Sequence, residues 1–228
     1  MAPLSVVSTR GDIVESVHRV SAAVVGADGR VVGWSGEPDL VTYWRSAAKP
    51  FQAMPLIEDG AADRWKLSEQ ELALTCASHS SEPIHLEVTD GFLKKIGCTE
   101  ADLACGPHLP LGSAVADRVL KEGLHPTPRW SNCSGKHSGM LALAKHHGWP
   151  TAGYNATGHP VQARIMESVT AWTDIPADRI QLGVDGCTAA NFALPLSAMA
   201  LAYARFGTRT HPAAERLRKA MLAHPELV

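Results

Sequence analysis

Trp44-Arg45-Ser46-Ala47-Ala48-Lys49-Pro50-Phe51-Gln52 is where the chain changes character. Upstream, Val14 to Val25 alternates apolar and polar side chains. Ala27-Asp28-Gly29 offers a turn and Val31-Val32-Gly33-Trp34 returns, the pattern of a β-hairpin. Leu40 to Trp44 is a third strand-like run leading into Ser46. Downstream the pattern is mostly helical. Pro50 marks the boundary, because its ring would clash with the carbonyl four residues back, so a regular helix is expected to begin at about Ser46. Strands first and helices after predict an α+β fold.

The same stretch pairs a nucleophile with a base. Ser46 and Lys49 are spaced to share one face of a helical turn. A serine hydroxyl reacts only when something takes its proton, and a lysine can do so if burial or a nearby positive charge lowers its pKa. A helix start also gathers free N–H groups and the positive dipole end, which can hold an oxyanion. Equally, Ser46 can serve as an N-cap and Lys49 as a solvated side chain.

Working outward, residues 50–58 read as a short helix ending by Gly60. Ser68-Glu69-Gln70-Glu71 has the form of a capping box that opens a helix through Leu72, Leu74 and Cys76. Glu82-Pro83 opens another, and its Ile84, Val88, Phe92 and Ile96 recur every four residues, so one face is buried. A helix is expected over 113–122 and a loop over 125–139. His137 to His146 reads as helical, and His159-Pro160 opens a helix with Val161, Ile165, Val169 and Trp172 on one face. A strand is expected over 180–184, a loop over 185–187, and helices over 195–206 and 212–223.

Composition is that of a globular protein: 228 residues, 45% hydrophobic and 19% charged, with net charge −2. No basic run points to nucleic acid, and no apolar run reaches the length of a membrane span. The N-terminus lacks the basic and apolar regions of a signal peptide. Five cysteines at irregular spacing argue against a disulfide framework, and a reducing, cytoplasmic setting is expected.

Two dense clusters stand out. Ala77-Ser78-His79-Ser80-Ser81-Glu82 packs hydroxyls, an imidazole and a carboxylate into a helix junction; its plain alternative is that Ser80 or Ser81 caps the helix starting at Glu82-Pro83. Asn132-Cys133-Ser134-Gly135-Lys136-His137-Ser138-Gly139 resembles a phosphate loop only superficially, since that motif needs glycine where Trp130 stands and Ser or Thr where His137 stands. Cys133, His137, Asp185 and Cys187 are of zinc-ligand type. The two cysteines lie far apart in sequence, so two small buried cysteines remain an alternative to a metal site. Cys76, Cys98 and Cys105 read as core.

Taken in order, Arg45-Ser46-Ala47-Ala48-Lys49-Pro50, Ala77-Ser78-His79, Asn132-Cys133-Ser134-Gly135-Lys136-His137 and Asp185-Gly186-Cys187 resemble the L-asparaginase II family of the Rhizobium etli inducible type. Tyr154 and His159-Pro160-Val161-Gln162 resemble it too. The resemblance implies a bacterial, cytoplasmic, homodimeric amidohydrolase with a serine β-lactamase/glutaminase-like fold, helices packed on a mainly antiparallel sheet, that converts L-asparagine to L-aspartate and ammonia. It implies Ser46 as nucleophile, Lys49 as base and Ser78 as the serine of a second Ser–Lys pair. It further implies Cys133, Lys136 and Cys187 as zinc ligands, and Arg45, His137 and Asp185 as residues facing the substrate.

Residues 1–228 are expected to form a single domain, incomplete at its C-terminus, because the sequence stops after a helix with no strand to complete the sheet. The lysine implied for Ser78 would lie beyond Val228, and neither Lys66 nor Lys94 is placed to substitute. Residues 1–228 alone are therefore expected to be a poor catalyst. Two other functions fit the same motifs: an acyl transferase of the β-lactamase or penicillin-binding type, which would also use S-x-x-K, and a non-catalytic protein that binds zinc and an amino acid.

Overall fold

The N-terminal turn signals close two hairpins rather than one. In the computed structural model, which describes residues 4–228, Gly11-Asp12 turns β1 (Leu4–Arg10) onto β2 (Ile13–Val20). Asp28-Gly29 turns β3 (Ala22–Val25) onto β4 (Val31–Ser35). The strand expected over Val14–Val25 is thus divided at Ser21 between two separate antiparallel pairs. A third antiparallel sheet has the order β5-β7-β6, with β5 at Val41–Tyr43, β6 at Gln181–Val184 and β7 at Ala190–Pro195. Central β7 is absent from the sequence reading. Its residues are buried almost without interruption, so they lack the period-two alternation that marks a half-exposed strand.

The helices are α1 (Lys49–Glu58), α2 (Ala61–Arg64), α3 (Glu69–Thr75), α4 (Pro83–Lys95), α5 (Ser113–Lys121), α6 (Ser134–His147), α7 (Pro160–Thr173), α8 (Leu196–Thr208) and α9 (Pro212–Ala223). The chain is α+β, as its order of strands and helices implies. Ser68 caps α3 through the reciprocal pair with Glu71, as its spacing predicts. Val161, Ile165, Val169 and Trp172 of α7 are all buried. Full burial of each contributes roughly 1.5–3 kcal/mol.

Two helix starts differ from the sequence reading. Residues Arg45–Ala48 form a 3-10 turn and α1 proper starts at Lys49, because Pro50 fits only the first positions of an α-helix. Helix α6 starts at Ser134, inside the stretch read as loop. Its small residues predict poor helix propensity, yet packing requires them. A Cβ on Gly135 would lie 2.4 Å from the Leu74 carbonyl oxygen, so only glycine lets α6 press this closely on α3.

Aromatic packing fixes the 45–48 turn. Trp44 stacks on Phe51 with ring centroids 4.7 Å apart, and Tyr203 meets Phe51 edge-on at 5.3 Å. The Tyr203 hydroxyl donates to the Ala47 carbonyl at 2.7 Å. Pro55 cannot donate to the Phe51 carbonyl four residues back, and Ser168 Oγ of α7 does so instead at 2.9 Å. A helix interior proline is thus accommodated by a side chain from a neighbouring helix. Among the described residues, no helix is long and apolar enough to cross a membrane.

Candidate active site

Ser46 sits on the 3-10 turn with its side chain exposed, one turn before the buried Lys49. The two do not hydrogen-bond. Lys49 Nζ points inward and donates to the Ala77 carbonyl at 2.5 Å and to Ser78 Oγ at 2.6 Å. A lysine partner for Ser78 is therefore present within residues 1–228. Sequence spacing could not show it, because the two residues lie 29 positions apart. Burial, with some help from Lys136, pulls the Lys49 ammonium below its ordinary value, against the opposing pull of Cys133 and Cys187.

Ser46 opens onto a cavity of ≈ 230 Å³, smaller than the roughly 300–1,000 Å³ of drug-sized sites. Arg45, Cys133, Asp185 and Cys187 line it, joined by Gly106, His108, Leu111, Ser131, Asn132 and Gly186. Lys49 and Ser78 are not among the lining residues. Arg45 Nη1 pairs with Asp185 Oδ1 at 2.9 Å at the rim. The arginine is largely exposed, so the pair orients the two groups more than it stabilises the fold.

Behind this cavity the two clusters of the sequence converge. Cys133 is the N-cap of α6, Lys136 lies in its first turn, and Cys187 sits on the turn between β6 and β7. Lys136 Nζ donates to Cys187 Sγ at 3.0 Å, and the thiols of Cys133 and Cys187 interact with each other. Contact with Cys133, reinforced by His137 and Lys136, holds the Cys187 thiol well below its ordinary value, whereas the same contact and burial push Cys133 up. Burial alone would pull Lys136 down, but the two sulfurs outweigh it and hold the ammonium above its ordinary value.

His137, expected to face the substrate, is fully buried and does not line the cavity. Being on the inner face of α6, it hydrogen-bonds Tyr154 through Nδ1 at 2.6 Å. Neither Ser80 nor Ser81 caps α4. The Glu82 N–H donates to His85 Nδ1 at 3.1 Å instead, while Ser81 Oγ donates to the Trp130 carbonyl at 2.6 Å.

Asn191 and His108 carry no sequence signal, and His79, though in a motif, has no role assigned from sequence. Asn191 Oδ1, on β7, accepts the Arg45 N–H at 3.1 Å. His108 Nε2 accepts the Asn132 N–H at 3.0 Å, tying the 106–111 segment to the start of α6. His79 is kept neutral by burial and by His85, its pKa pushed down to about 3. Its Nδ1 accepts the Ser81 N–H at 3.2 Å, so its proton sits on Nε2 and reaches Ser134 Oγ at 2.8 Å. This contact pins the Ser78 loop to α6. Only the density of polar residues around Ser78 and Asn132 hinted at such a network.

Residues 6–228 match the family model of L-asparaginase II. A search of curated proteins finds no match to the chain.

Proposed function

We propose that this chain, which belongs to the L-asparaginase II family, hydrolyses L-asparagine to L-aspartate and ammonia through a serine acyl-enzyme formed with the help of Lys49. Family membership makes it an amide hydrolase of asparaginase type with a small-molecule substrate. The serine–lysine chemistry rests chiefly on one observation. Lys49 is buried, its basicity is tuned toward the neutral amine, and it is hydrogen-bonded to one serine hydroxyl while a second serine, one turn earlier, opens onto the cavity.

In this reading the Ser46 hydroxyl attacks the side-chain amide carbon and its proton passes to Lys49 Nζ. The C–N bond of the tetrahedral intermediate breaks as that proton goes to the departing ammonia. Water then attacks the ester, gives up a proton to Lys49, and releases aspartate and the free serine. A well-placed oxyanion donor contributes roughly 3–4 kcal/mol to such a reaction. Arg45 and Asp185, paired at the rim, offer opposite charges to the carboxylate and amine of an amino acid.

The 2.6 Å contact between Lys49 and Ser78 favours a second reading, in which Ser78 is the attacking hydroxyl. Ammonia release and mass spectrometry of the trapped acyl-enzyme separate the two. Ser46→Ala should abolish turnover and acyl labelling, and Lys49→Met should cost more than ~100-fold. Normal turnover by Ser46→Ala with label on Ser78 would exchange the roles. Hydrolysis of a chromogenic β-lactam in place of asparagine, or amino-acid binding without ammonia release, would overturn both.

Zinc belongs to the same proposal, as do the homodimer and the cytoplasmic location. Among the described residues no three His, Cys, Asp or Glu side chains cluster in metal-binding fashion, so Lys136 must be the third donor. Cys133, Lys136 and Cys187 are buried, Lys136 is hydrogen-bonded to Cys187, and Cys133 lines the same cavity as Cys187; together they offer two soft sulfurs and an amine. The 3.0 Å between Lys136 Nζ and Cys187 Sγ is about half an ångström short of the ~3.5 Å between two tetrahedral zinc ligands. A small outward shift suffices, and the donor set fits. Binding there requires Lys136 to shed its proton. A bound zinc would supply Lewis acidity at the cavity wall.

A further inference from the structure

Thr89, on α4, is fully buried and lines no part of the cavity, yet a chain of hydrogen bonds joins it to the Ser78 loop. Its Oγ1 donates to the His85 carbonyl at 2.8 Å and lies 3.1 Å from Ser134 Oγ. Ser134 Oγ lies 2.8 Å from His79 Nε2, and His79 Nδ1 accepts the Ser81 N–H at 3.2 Å. The chain can run in one direction only. A carbonyl cannot donate, so the Thr89 hydrogen goes to His85 and Ser134 supplies the hydrogen between the two hydroxyls. A backbone N–H cannot accept, so His79 meets Ser134 as a donor. His79, Ser81, Thr89 and Ser134 are all buried, and among the described residues the Thr89 and Ser134 hydroxyls have no other partner. Removing one acceptor therefore strands a buried donor.

The chain ends on a strained residue. Ser81 holds a φ of 59°, in the left-handed region that residues with a side chain rarely adopt. Such a backbone persists only where its surroundings over-determine it. Here the Ser81 N–H is fixed by His79, and its Oγ donates to the Trp130 carbonyl at 2.6 Å. The His79 N–H in turn donates to the Asn132 carbonyl at 3.2 Å. Residues 79–81 are thus bent back onto the start of α6, and the bend fixes the residue before it. There Ser78 Oγ stands 2.6 Å from Lys49 Nζ.

We propose that Thr89 and His79 are positioning residues of the candidate site: α4, acting through Thr89, Ser134 and His79, holds the strained turn that presents Ser78 Oγ to Lys49. Without the Thr89 hydroxyl, the Ser134 hydrogen loses its acceptor and turns toward His79, where it meets another donor. The bond that anchors His79 weakens, and the turn relaxes with Ser78 on it. The proposal rests on Lys49 and Ser78 belonging to the site as read above.

Two substitutions at Thr89 separate hydrogen bonding from packing. Thr89→Val keeps the shape and removes the hydroxyl, whereas Thr89→Ser keeps the hydroxyl and removes a methyl group. Folded Thr89→Val should lower kcat for ammonia release by about 10–100-fold with little change in KM, the cost of misplacing a group by up to about an ångström. Thr89→Ser should recover most of that loss. A residue that only packs gives the reverse order, with Thr89→Ser the poorer enzyme, and that order overturns the proposal. So does an equal kcat in all three proteins. Nitrogen-15 imidazole spectra of the wild type give a readout that needs neither a Thr89 variant nor activity. They should show His79, assigned by the loss of its signal in His79→Gln, protonated on Nε2. A His79 protonated on Nδ1 breaks the chain and overturns the proposal, even if Thr89→Val fails to fold. A wild type that releases no ammonia counts against the proposed hydrolysis of asparagine, and the imidazole spectrum then decides whether the turn is held as described.

Discussion

Arg45 holds a φ of 57°, a left-handed backbone that residues with a side chain rarely adopt. Such a residue typically costs about 1–3 kcal/mol and persists only where its surroundings over-determine it. Here Asn191 Oδ1 takes the Arg45 N–H and the Asp185 carboxylate takes its guanidinium. The kink swings the chain out of β5, so that the next residue, Ser46, meets the cavity. Asn191→Ala should therefore lower kcat for ammonia release by ~10-fold, equivalent to about 1.4 kcal/mol, with little change in KM. Asn191→Asp, which keeps an acceptor oxygen, should recover part of the loss. An unchanged kcat in Asn191→Ala would leave Asn191 a packing residue only. The pH profile tests Lys49 in the same way. Its pKa lies below the ordinary 10.5 because burial disfavours the ammonium. As pH rises through the lowered value the amine becomes neutral, so kcat/KM should climb along a limb below that of a free lysine. Lys49→Arg should lose both rate and limb, because arginine stays protonated. At this scale the sequence was informative about residue types and silent about partners. Ser46, Lys49, Ser78, Cys133 and Cys187 stand in recognisable motifs. Arg45 with Asn191, or Lys49 with Ser78, are joined only by the fold.

Helices carried their periodicity openly: α7 buries the face its spacing predicts, and along α4 Phe92, with Ile96 just past its end, is buried while Ile84 and Val88 are half-buried against the core. Element ends were harder to read where packing overrides local preference. Helix α6 is the clearest case, since Ser134, Gly135, Ser138 and Gly139 lower its intrinsic propensity and yet are fully buried within it. A Cβ at Gly135 would lie 2.4 Å from Leu74 O and 2.6 Å from Leu74 Cγ. No rotamer change of a flexible side chain relieves a clash with backbone. Gly135→Ala should therefore separate α6 from α3 and destabilise the fold by about 1–3 kcal/mol, the usual range for overpacking. That is read as a lower urea midpoint at unchanged slope. Because Cys133 and Lys136 ride on the same end of α6, folded Gly135→Ala protein should also show weakened activity. A midpoint equal to wild type would mean that the helices part without cost. Strand β7 was hidden for the converse reason. Covered on both faces, it offers no alternation, so the sheet that presents Asp185 and Cys187 could not be assembled from sequence pattern.

Across the whole molecule, burial is uneven, and that unevenness sets the last expectation. The main core joins α1, α3, α4, α6, α7, α8 and α9 with β7. The β3–β4 pair packs on α8. The β1–β2 ribbon packs chiefly on itself, with Leu4, Val6, Val7, Ile13, Val14 and Val17 all exposed. Its supports are local: an Arg10–Glu15 ion pair of 2.6 Å at the tip and a Leu4 N–H bond of 2.7 Å to Ser35 Oγ at the base. An exposed ion pair contributes at most about 1 kcal/mol, and a two-stranded ribbon is marginal without a third strand or a packed face. The sequence reading placed one hairpin here and anticipated a sheet in need of more strands. The described residues instead form three small sheets, a division that alternation alone cannot reveal because both ribbons share the same pattern. Opening of residues 4–20 should thus be nearly free, whereas amides of α6 and β7 should exchange only through unfolding of the core. Hydrogen exchange read by mass spectrometry should find peptides from 4–20 labelled within seconds and those from 134–147 and 190–195 protected by orders of magnitude. Labelling of 4–20 should not slow when L-asparagine is added, since no ribbon residue lines the cavity. Protection of 4–20 equal to that of α6 would show the ribbon covered in solution by something beyond its own two strands, and repeating the measurement over a range of protein concentration would tell whether that cover is a second copy of the chain.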